Sequence, residues 1–419
     1  MRFIHTADVH LDAPFARHAP ELRTRLRDAS REAFQRAVSL ALAQRVDAFV
    51  IAGDLFDGET LALSTERFLG EEFARLGEAG ITVVYATGNH DPGSGTAHAG
   101  RIEWPANVVV ADGPEPVSVE IDDGRGGIVG RISAVGHASS RISQDLSKAI
   151  PVPGGGARIP EVAVLHTQVL GSVDAESHDR YAPSELGALS RSGHDYWALG
   201  HVHRRQTLSE TPRICYPGTP QGLSIRESGP KGILLVEIPT PGAATARFIE
   251  QAPVRWEALE ITDPIDEANL TALVRRVEQE WSSARGEDLG NPGCEFIVRV
   301  TLRGRTPLVH ELSNPDGIET LQGELRKVTG ALDVEVRTRA LSPPIAWEDH
   351  RERSDVLGEA LRLVEEIRAH PHLLEIDPTQ LAGLAHAGGE AELDQYIRRL
   401  LDGAEPAVAA ALLTDPDDR

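Results

Sequence analysis

Short apolar runs alternate with longer amphipathic stretches over the first 240 residues. Residues 48–52 are apolar at every position, which is typical of a strand buried on both faces. Residues 20–45 and 64–79 carry apolar side chains at helical spacing and predict two helices. The order strand, helix, strand predicts βαβ units with right-handed crossovers. Further strands are predicted at residues 2–6, 81–86, 162–165, 196–199 and 231–237.

The pattern changes twice farther along the chain. Residues 107–134 alternate between apolar and polar positions around glycine-rich turns, which predicts a second, more antiparallel layer. A short helix is predicted at residues 139–150, and the proline- and glycine-rich residues 151–157 predict a surface loop with no assignable role. A compact α+β unit is predicted from strands at residues 255–261, 294–303 and 332–339 and helices at residues 267–284 and 316–329.

Two breaks in the pattern mark domain boundaries. Residues 239–244 have the composition of a linker, and Pro343-Pro344 interrupts the chain again. We predict a domain at residues 1–240, a small α+β cap domain at residues 250–341 and a helical, acidic C-terminal region at residues 345–419. Ser354 is a candidate N-cap for the first C-terminal helix, and two further helices are predicted at residues 390–401 and 405–412.

The first C-terminal helix carries an apolar stripe. One interpretation is that this stripe packs on its own domain, as most such stripes do. The other is that it docks on the helices of a partner, which the acidic character of the region makes equally reasonable. The stripe consists of Leu357, Ala360, Leu361, Val364 and Ile367.

The charge balance limits the choice of function. The 419 residues include 64 acidic and 42 basic side chains, a net charge of -22, which is unlike a protein that binds nucleic acid by itself. A polyanionic substrate would need metal ions, a local basic patch or a partner. Two cysteines, far apart and in no CxxC pattern, suit a reducing compartment. Without an apolar leader or a run of 18 apolar residues, we expect a cytoplasmic protein that does not span a membrane.

Candidate chemistry lies at the ends of the predicted strands. Gly53-Asp54 alone is more often a turn cap, and a lone His166 is more often a packed residue, but His201-x-His203 after a glycine points both rings to one side. We expect His5 to be a packed strand residue and Asp91 to form a turn with Pro92 and Gly93. The candidates that follow strands are Asp8, His10, Asp54, Asn89, His90, His166, His201 and His203.

This set indicates a catalytic metal centre. Imidazole, carboxylate and amide oxygen without thiolate suit manganese, iron or zinc at a catalytic site better than structural zinc. The ligands are too many for one ion, so two ions about 3.5–4 Å apart and bridged by a carboxylate are expected. Because no serine or cysteine nucleophile with a base is evident, direct attack by a metal-bound hydroxide is favoured over a covalent intermediate.

The motifs also carry a family resemblance. Over residues 1–237 they resemble, in order, the full motif set of the calcineurin-like metallophosphoesterases. Residues 5–12, 196–203 and 216–218 resemble the DNA-repair exonuclease branch, which includes the nuclease subunit of the bacterial SbcCD complex and the YhaO-like proteins. The resemblance implies an α/β fold, a β-sandwich flanked by helices, with a cap domain and a helical tail. The motifs are Asp8-x-His10, Gly53-Asp54, Gly88-Asn89-His90-Asp91, His166 and Gly200-His201-x-His203.

Roles for single residues follow from the resemblance. His90 would not be a ligand, and would stabilise the transition state or protonate the leaving oxygen. The resemblance also implies manganese-dependent cleavage of DNA phosphodiesters, a homodimer and an SbcC-like ATPase partner with long coiled coils. One metal would be held by Asp8, His10, Asp54 and His203, and the other by Asp54, Asn89, His166 and His201, with Asp54 bridging.

Two other functions remain open. A phosphoesterase on the same scaffold can act on a phosphomonoester, a phosphoprotein or a cyclic nucleotide, and the metal ligands do not separate these substrates from DNA. A scaffold subunit with a vestigial metal site is the second alternative, against which the intact ligand set argues.

Overall fold

The computed structural model describes residues 1–57, 61–93, 102–154, 159–171, 181–240, 243–264, 266–287, 293–344, 347–374, 390–402 and 404–413. The predicted loop at residues 151–157 therefore lies partly outside the described residues. Contacts divide the chain into two units, one of Met1–Glu257 with Leu289–Ile297 and one of Ala258–Asp288 with Val298–Arg419. The three predicted regions and their boundaries stay predictions.

The first unit contains a largely parallel sheet. Strands β1 (Arg2–Thr6), β2 (Ala48–Ala52) and β3 (Thr82–Ala86) are parallel, as predicted, with Ile4 opposite Phe49 and Phe49 opposite Val83. The prediction for residues 107–134 was wrong in part, because β4 joins this sheet parallel to β3. Strand β12 was not predicted, and it pairs antiparallel with β11. In their order across the sheet the strands are β12 (Thr245–Glu250), β11 (Gly232–Glu237), β1 (Arg2–Thr6), β2 (Ala48–Ala52), β3 (Thr82–Ala86) and β4 (Val108–Ala111).

A second sheet faces the first. Strands β6, β7 and β8 are parallel, and β5 pairs antiparallel with β6 as predicted for the second layer. Its strands, again in order across the sheet, are β5 (Val117–Asp122), β6 (Ile128–Val135), β7 (Glu161–His166), β8 (Tyr196–Gly200), β10 (Arg213–Tyr216) and β9 (Gln206–Glu210).

The alternation of side chains along β2 explains the layers. Phe49 and Ile51 pack in a buried cluster with Phe34 of helix α1 (Pro20–Gln44) and Phe73 of helix α2 (Leu63–Glu78). Val50 points to the other face, into a cluster shared with the second sheet. Both faces of β2 are thus covered, which is why its sequence is apolar throughout. A short helix, α3 (Leu186–Ser190), precedes β8, and a 3-10 turn at Leu146–Ala149 replaces the helix predicted at residues 139–150.

The second unit combines a three-stranded sheet with helices. Its strands, in order, are β13 (Val254–Thr262), β14 (Glu295–Arg305) and β15 (Asp333–Ser342), with the first residues of β13 and β14 counted in the first unit. Helix α6 begins after Asn314, whose side chain accepts a hydrogen bond from the Asp316 amide, and ends at Gly330. The helices are α4 (Leu270–Glu287), α5 (Val309–Ser313), α6 (Pro315–Thr329), α7 (Val356–Ala369), α8 (Glu390–Leu400) and α9 (Ala404–Leu413).

Helix α7 decides between the two interpretations of the apolar stripe. Leu357 and Leu361 are buried and pack with Ala409 of α9, so the stripe covers its own unit. The N-cap is Asp355 rather than Ser354, because the Asp355 carboxylate accepts the Gly358 amide at 2.8 Å. None of the helices within the described ranges is long and apolar enough to cross a membrane.

Candidate metal centre

The predicted site residues lie where the strands of the two sheets end. Asp8 and His10 follow β1, and Asp54 lies two residues beyond β2. In the facing sheet His166 is the last residue of β7, and His201 directly follows β8. Because these strands are parallel within each sheet, their carboxyl ends meet at one edge of the sandwich.

Glycines allow the two sheets to approach each other at this edge. A Cβ atom on Gly200 would lie 1.7 Å from the Ala52 carbonyl oxygen, and one on Gly53 would lie 2.2 Å from Nδ1 of His166. Both neighbours are fixed, one by the backbone of β2 and the other by the metal centre. Gly53 and Gly200, each directly before a candidate ligand, are therefore required for the close approach of the two sheets.

We expect Gly200→Ala to destabilise the protein by about 3 kcal/mol or more, because the added methyl group forces the strands apart at the site. Gly70→Ala is the matched control. Gly70 lies inside α2 with nothing within 4 Å of an added Cβ, so its replacement is expected to be neutral or to stabilise by about 1 kcal/mol. Urea denaturation of both variants measures the difference, and equal stabilities would contradict the close-approach argument.

The backbone at the strand ends is held in an uncommon conformation. Asp8, His10 and Asp54 have φ values of 52°, 49° and 51°, in the left-handed region that residues other than glycine rarely adopt. Hydrogen bonds between the two loops fix this conformation, from the Asp8 amide to the Gly53 carbonyl and from the His10 amide to the Asp54 carbonyl, both at 3.0 Å. Backbone strain of this kind concentrates at functional sites.

The first of two groups of side chains contains Asp8, His10 and His203. The Nε2 atoms of His10 and His203 lie 3.1 Å apart, and His203 Nε2 lies 4.0 Å from Oδ1 of Asp8. Oδ2 of Asp54 is 3.8 Å from His10 Nε2. One potential ligand atom from each member of the trio lies within 4.8 Å of the others, so these residues can hold one metal ion.

The second group lies on the other side of Asp54. Nε2 of His166 lies 3.3 Å from Oδ2 of Asp54 and 3.0 Å from Oδ1 of Asn89. Nδ1 of His201 lies 3.2 Å from the same Asn89 oxygen. Asp54 contacts members of both groups, as a bridging carboxylate requires. The structure thus brings together all the predicted ligands, and their assignment as ligands remains a prediction.

The hydrogen bonds of the histidines orient their other ring nitrogens toward the centre. Nδ1 of His166 donates to the Ala52 carbonyl at 2.9 Å, and Nδ1 of His203 lies 2.9 Å from Oε1 of Glu227. Nε2 of His166 faces two oxygen acceptors, Asp54 Oδ2 and Asn89 Oδ1, so either a proton on Nε2 or a metal ion between these atoms is needed to stabilise the arrangement. The donor set therefore fits a bound divalent ion. Glu227 was missed, because its position in the sequence gives no sign that it contacts His203.

The electrostatics favour the ionised form of Asp54. Burial alone would raise the pKa of Asp54, but His166 and His10 hold it well below its usual value, so Asp54 stays ionised. In the metal-free protein a proton takes the place of the cation. Although burial alone would lower the pKa of His166, Asp54 and Asp8 raise it to about 9. Metal binding is therefore expected to release protons and to weaken as the pH falls.

Asp91 has a role that the sequence did not predict. It was expected to be a turn residue, yet it is buried, and its carboxylate accepts hydrogen bonds from the amides of Gly88, Asp54 and Leu55 and from the Tyr85 hydroxyl. One carboxylate thus ties the loop after β2 to the loop after β3. Asp91 supports the position of Asp54 without facing the metal groups.

His90 lies at the open side of the centre. Its side chain is 43% exposed, its ring lies 4.8 Å from that of His10, and its Nδ1 is 2.7 Å from Oδ1 of Asp57. The hydrogen bond to Asp57 raises the pKa of His90 above its usual value, while partial burial opposes that shift. Asp57 had no predicted role, although its spacing of three residues from Asp54 on the same loop was a usable signal. His10, Asp57 and His90 also lie close enough to hold a cation.

Two further histidines have structural roles in the core. His5 is buried between the Tyr196 hydroxyl and the Leu199 carbonyl, as the packed role predicted for it requires. His137, which was not predicted, lies 2.7 Å from the carbonyl of His166. Burial lowers the pKa of His5 to about 3 and that of His137 to about 4, so both stay neutral at physiological pH.

Comparison with known proteins agrees with this geometry. Residues 1–205 match the family described as "Calcineurin-like phosphoesterase". The "Uncharacterized metallophosphoesterase YhaO" of Bacillus subtilis is 36% identical over 317 residues, which are 73% of this chain and 72% of that protein. The SbcD component of the nuclease SbcCD from Escherichia coli is 26% identical over 422 residues, 92% and 96% of the two chains. The "DNA double-strand break repair protein Mre11" of Methanopyrus kandleri is 27% identical over 366 residues, 78% and 76%. With one relative above 30% identity over most of both chains, the protein belongs to the calcineurin-like phosphoesterase family.

Proposed function

We propose that the protein is a manganese-dependent DNA phosphodiesterase, an exonuclease or endonuclease that serves as the nuclease subunit of a DNA-repair complex. The observation that carries the proposal is the pair of ligand groups that share Asp54, with His90 at their open side. Similarity to SbcD and to Mre11 supports DNA as the substrate. We also propose a cytoplasmic location, because both cysteines are free and free cysteines are typical of a reducing compartment.

Different residues of the chain would bind the metal ions and contact the substrate. Asp8, His10, Asp54 and His203 would hold one ion, and Asp54, Asn89, His166 and His201 the other. When bound, the ions would supply an activated water and neutralise charge on the phosphoryl group. His90 faces the substrate side, and its protonated ring can stabilise the transition state or donate a proton to the leaving oxygen. Asp57 orients His90 and favours the protonated form.

The distribution of charge supports a role for a partner in DNA binding. Residues 1–257 contain 25 basic and 32 acidic side chains, a net charge of -7, whereas residues 258–419 contain 17 and 32, a net charge of -15. Because affinity for duplex DNA rests largely on neutralising phosphates, the protein alone is expected to bind DNA weakly. We propose a homodimer that works with an SbcC-like coiled-coil ATPase.

Degradation of a labelled linear duplex with added manganese tests the proposed function. We expect loss of label with manganese and none in chelator. Hydrolysis of a bis-nitrophenyl diester without any cleavage of DNA, even with the ATPase present, would favour a different phosphate ester as substrate. No metal binding and no hydrolysis of either compound would favour the scaffold alternative.

The pH profile of DNA cleavage tests the role of Asp57. The hydrogen bond to Asp57 raises the pKa of His90, so the protonated ring persists to a higher pH and is lost as the pH rises through that pKa. Asp57→Asn removes the charge, so we expect the alkaline limb of kcat/KM to move to lower pH. Asp122→Asn is the control, since Asp122 is exposed at the end of β5, an edge strand of the second sheet. An unmoved alkaline limb in Asp57→Asn would contradict the coupling.

Truncation tests the proposed role of the C-terminal region. We expect a chain that ends at residue 343 to retain metal-dependent hydrolysis of the small diester and to lose most of its binding to the ATPase. The exposed side chains Val356 and Leu363 of α7 are available to a partner, unlike the buried stripe. Leu363→Asp, which leaves that stripe intact, is expected to weaken the association in the full-length chain. Full ATPase binding by the truncated chain, measured by co-purification, would contradict this role.

A further inference from the structure

A cavity of ≈ 840 Å³ opens beside the metal centre in the first unit. One wall is Asp57, the residue that contacts His90, and another is helix α1. The cavity therefore extends from the substrate side of the centre and is separate from the two ligand groups. The lining residues that matter here are Asp12, Arg27, Asp28, Arg31, Asp57 and Leu61.

The acidic side chains of this cavity already have partners. Asp12 accepts hydrogen bonds from Arg31 and from the Thr65 hydroxyl, each at 2.8 Å. Asp57 is engaged by His90, and Asp28 lies 3.7 Å from Arg31. The charge of Arg31 is thus shared between two carboxylates. Each carboxylate in the described lining thus has a hydrogen-bonding or ion-pair partner, which offsets part of its negative charge.

Arg27 differs from the other charged residues of the lining. Its Nε donates to the Ala13 carbonyl at 3.1 Å, and Nη2 lies 3.4 Å from the Pro14 carbonyl. Within the described part of the chain, no carboxylate oxygen lies within 4.0 Å of its guanidinium. The two carbonyls orient the guanidinium without neutralising it, which suits recognition of a phosphate.

We propose that this cavity is a subsite for the nucleotide next to the scissile phosphate on the His90 side, and that Arg27 binds the neighbouring phosphate of the same strand. The inference rests on the proposed function and adds a substrate contact outside the metal centre. Leu61 supplies an apolar surface for the sugar or base. A specific cation at this point helps to explain how an acidic protein positions a polyanion.

Uncharged linkages in the substrate test this contact. The probes are short oligothymidylates with a single methylphosphonate linkage one position before or after the cleaved bond, and kcat/KM is measured with manganese. We expect one of the two placements to lower kcat/KM of the wild-type protein about 10-fold, the value of a hydrogen bond to a charged group. On the all-phosphate strand, kcat/KM of Arg27→Gln should be about 10-fold lower than that of the wild-type protein. The methylphosphonate should then lower kcat/KM of this variant by less than about 2-fold more.

Two further variants make the result specific. Arg23→Gln is the matched control, because Arg23 also lies on α1 and bonds a backbone carbonyl but does not line the cavity; it should keep the wild-type response. Arg27→Lys keeps the positive charge, so the methylphosphonate should again lower kcat/KM, though less than in the wild-type protein. If the methylphosphonate lowers kcat/KM of Arg27→Gln as much as that of the wild-type protein, the assignment is overturned. It is also overturned if the wild-type protein cleaves DNA and neither placement of the methylphosphonate lowers its kcat/KM. A wild-type protein that cleaves no DNA would overturn the proposed function and this inference together.

Discussion

Asp54→Asn is expected to empty both metal positions with one substitution. Asp54 contacts His10 of one group and His166 of the other, so loss of its charge weakens both sites together. Metal content should fall from two ions per chain to well below one, and hydrolysis of the bis-nitrophenyl diester should fall by about 10³-fold or more, equivalent to about 4 kcal/mol.

Metal-dependent stability provides an independent measurement of the same effect. At manganese concentrations about 100 times the dissociation constant, one bound ion stabilises the wild-type protein by about 2.7 kcal/mol. We expect the melting temperature of Asp54→Asn not to rise with manganese. Asp57→Asn is the control, since Asp57 contacts His90 outside the two groups, and it should keep both ions. One ion retained in Asp54→Asn would show that the carboxylate does not bridge.

His90→Ala is expected to abolish turnover while both metals stay bound. His90 lies at the open side of the centre with its ring directed by Asp57, and loss of a general acid typically costs 10²–10⁴-fold. A roughly 10³-fold loss of DNA cleavage with two ions per chain would fit that role. An empty metal position in this variant would show instead that His90 is a ligand.

The leaving group separates the two possible roles of His90. A nitrophenolate leaves without a proton, whereas the alkoxide of a nucleoside needs one. If His90 donates that proton, His90→Ala should lose far more activity on DNA than on the nitrophenyl diester. If it only stabilises charge on the phosphoryl group, the two losses should be similar. His5→Ala is not a suitable control because His5 is buried in the core, so the exposed His372 is replaced instead.

Much of the candidate site was predictable because each ligand follows a strand. Local patterns place strands and their ends, and parallel strands bring their carboxyl ends to one edge. Asp8, Asp54, Asn89 and His166 could therefore be expected to meet without knowledge of the packing. The same logic predicted β1 and β2 at their observed bounds.

Residues that act through long-range contacts were not predictable. Glu227 contacts His203 across 24 positions, and no local pattern relates the two. Asp91 has the sequence context of a turn, but three hydrogen bonds from the backbone of two loops and one from Tyr85 of β3 make it a buried support. Strand β4 was predicted to belong to the second layer, yet it pairs with β3, because the partner of an edge strand depends on the global topology.

The sequence by itself determined the chemistry of this protein: two sets of carboxylate, imidazole and amide ligands at strand ends, an acidic chain and a family motif set. The tertiary structure decided how that chemistry is arranged. It placed Asp54 between the two ligand groups, paired His90 with Asp57 and buried the α7 stripe on α9. It also placed Arg27 beside a cavity, with no ion pair to any described residue. The physical reason is that ligand identity is a local property of the chain, whereas distances, burial and charge pairing arise only when distant segments pack together.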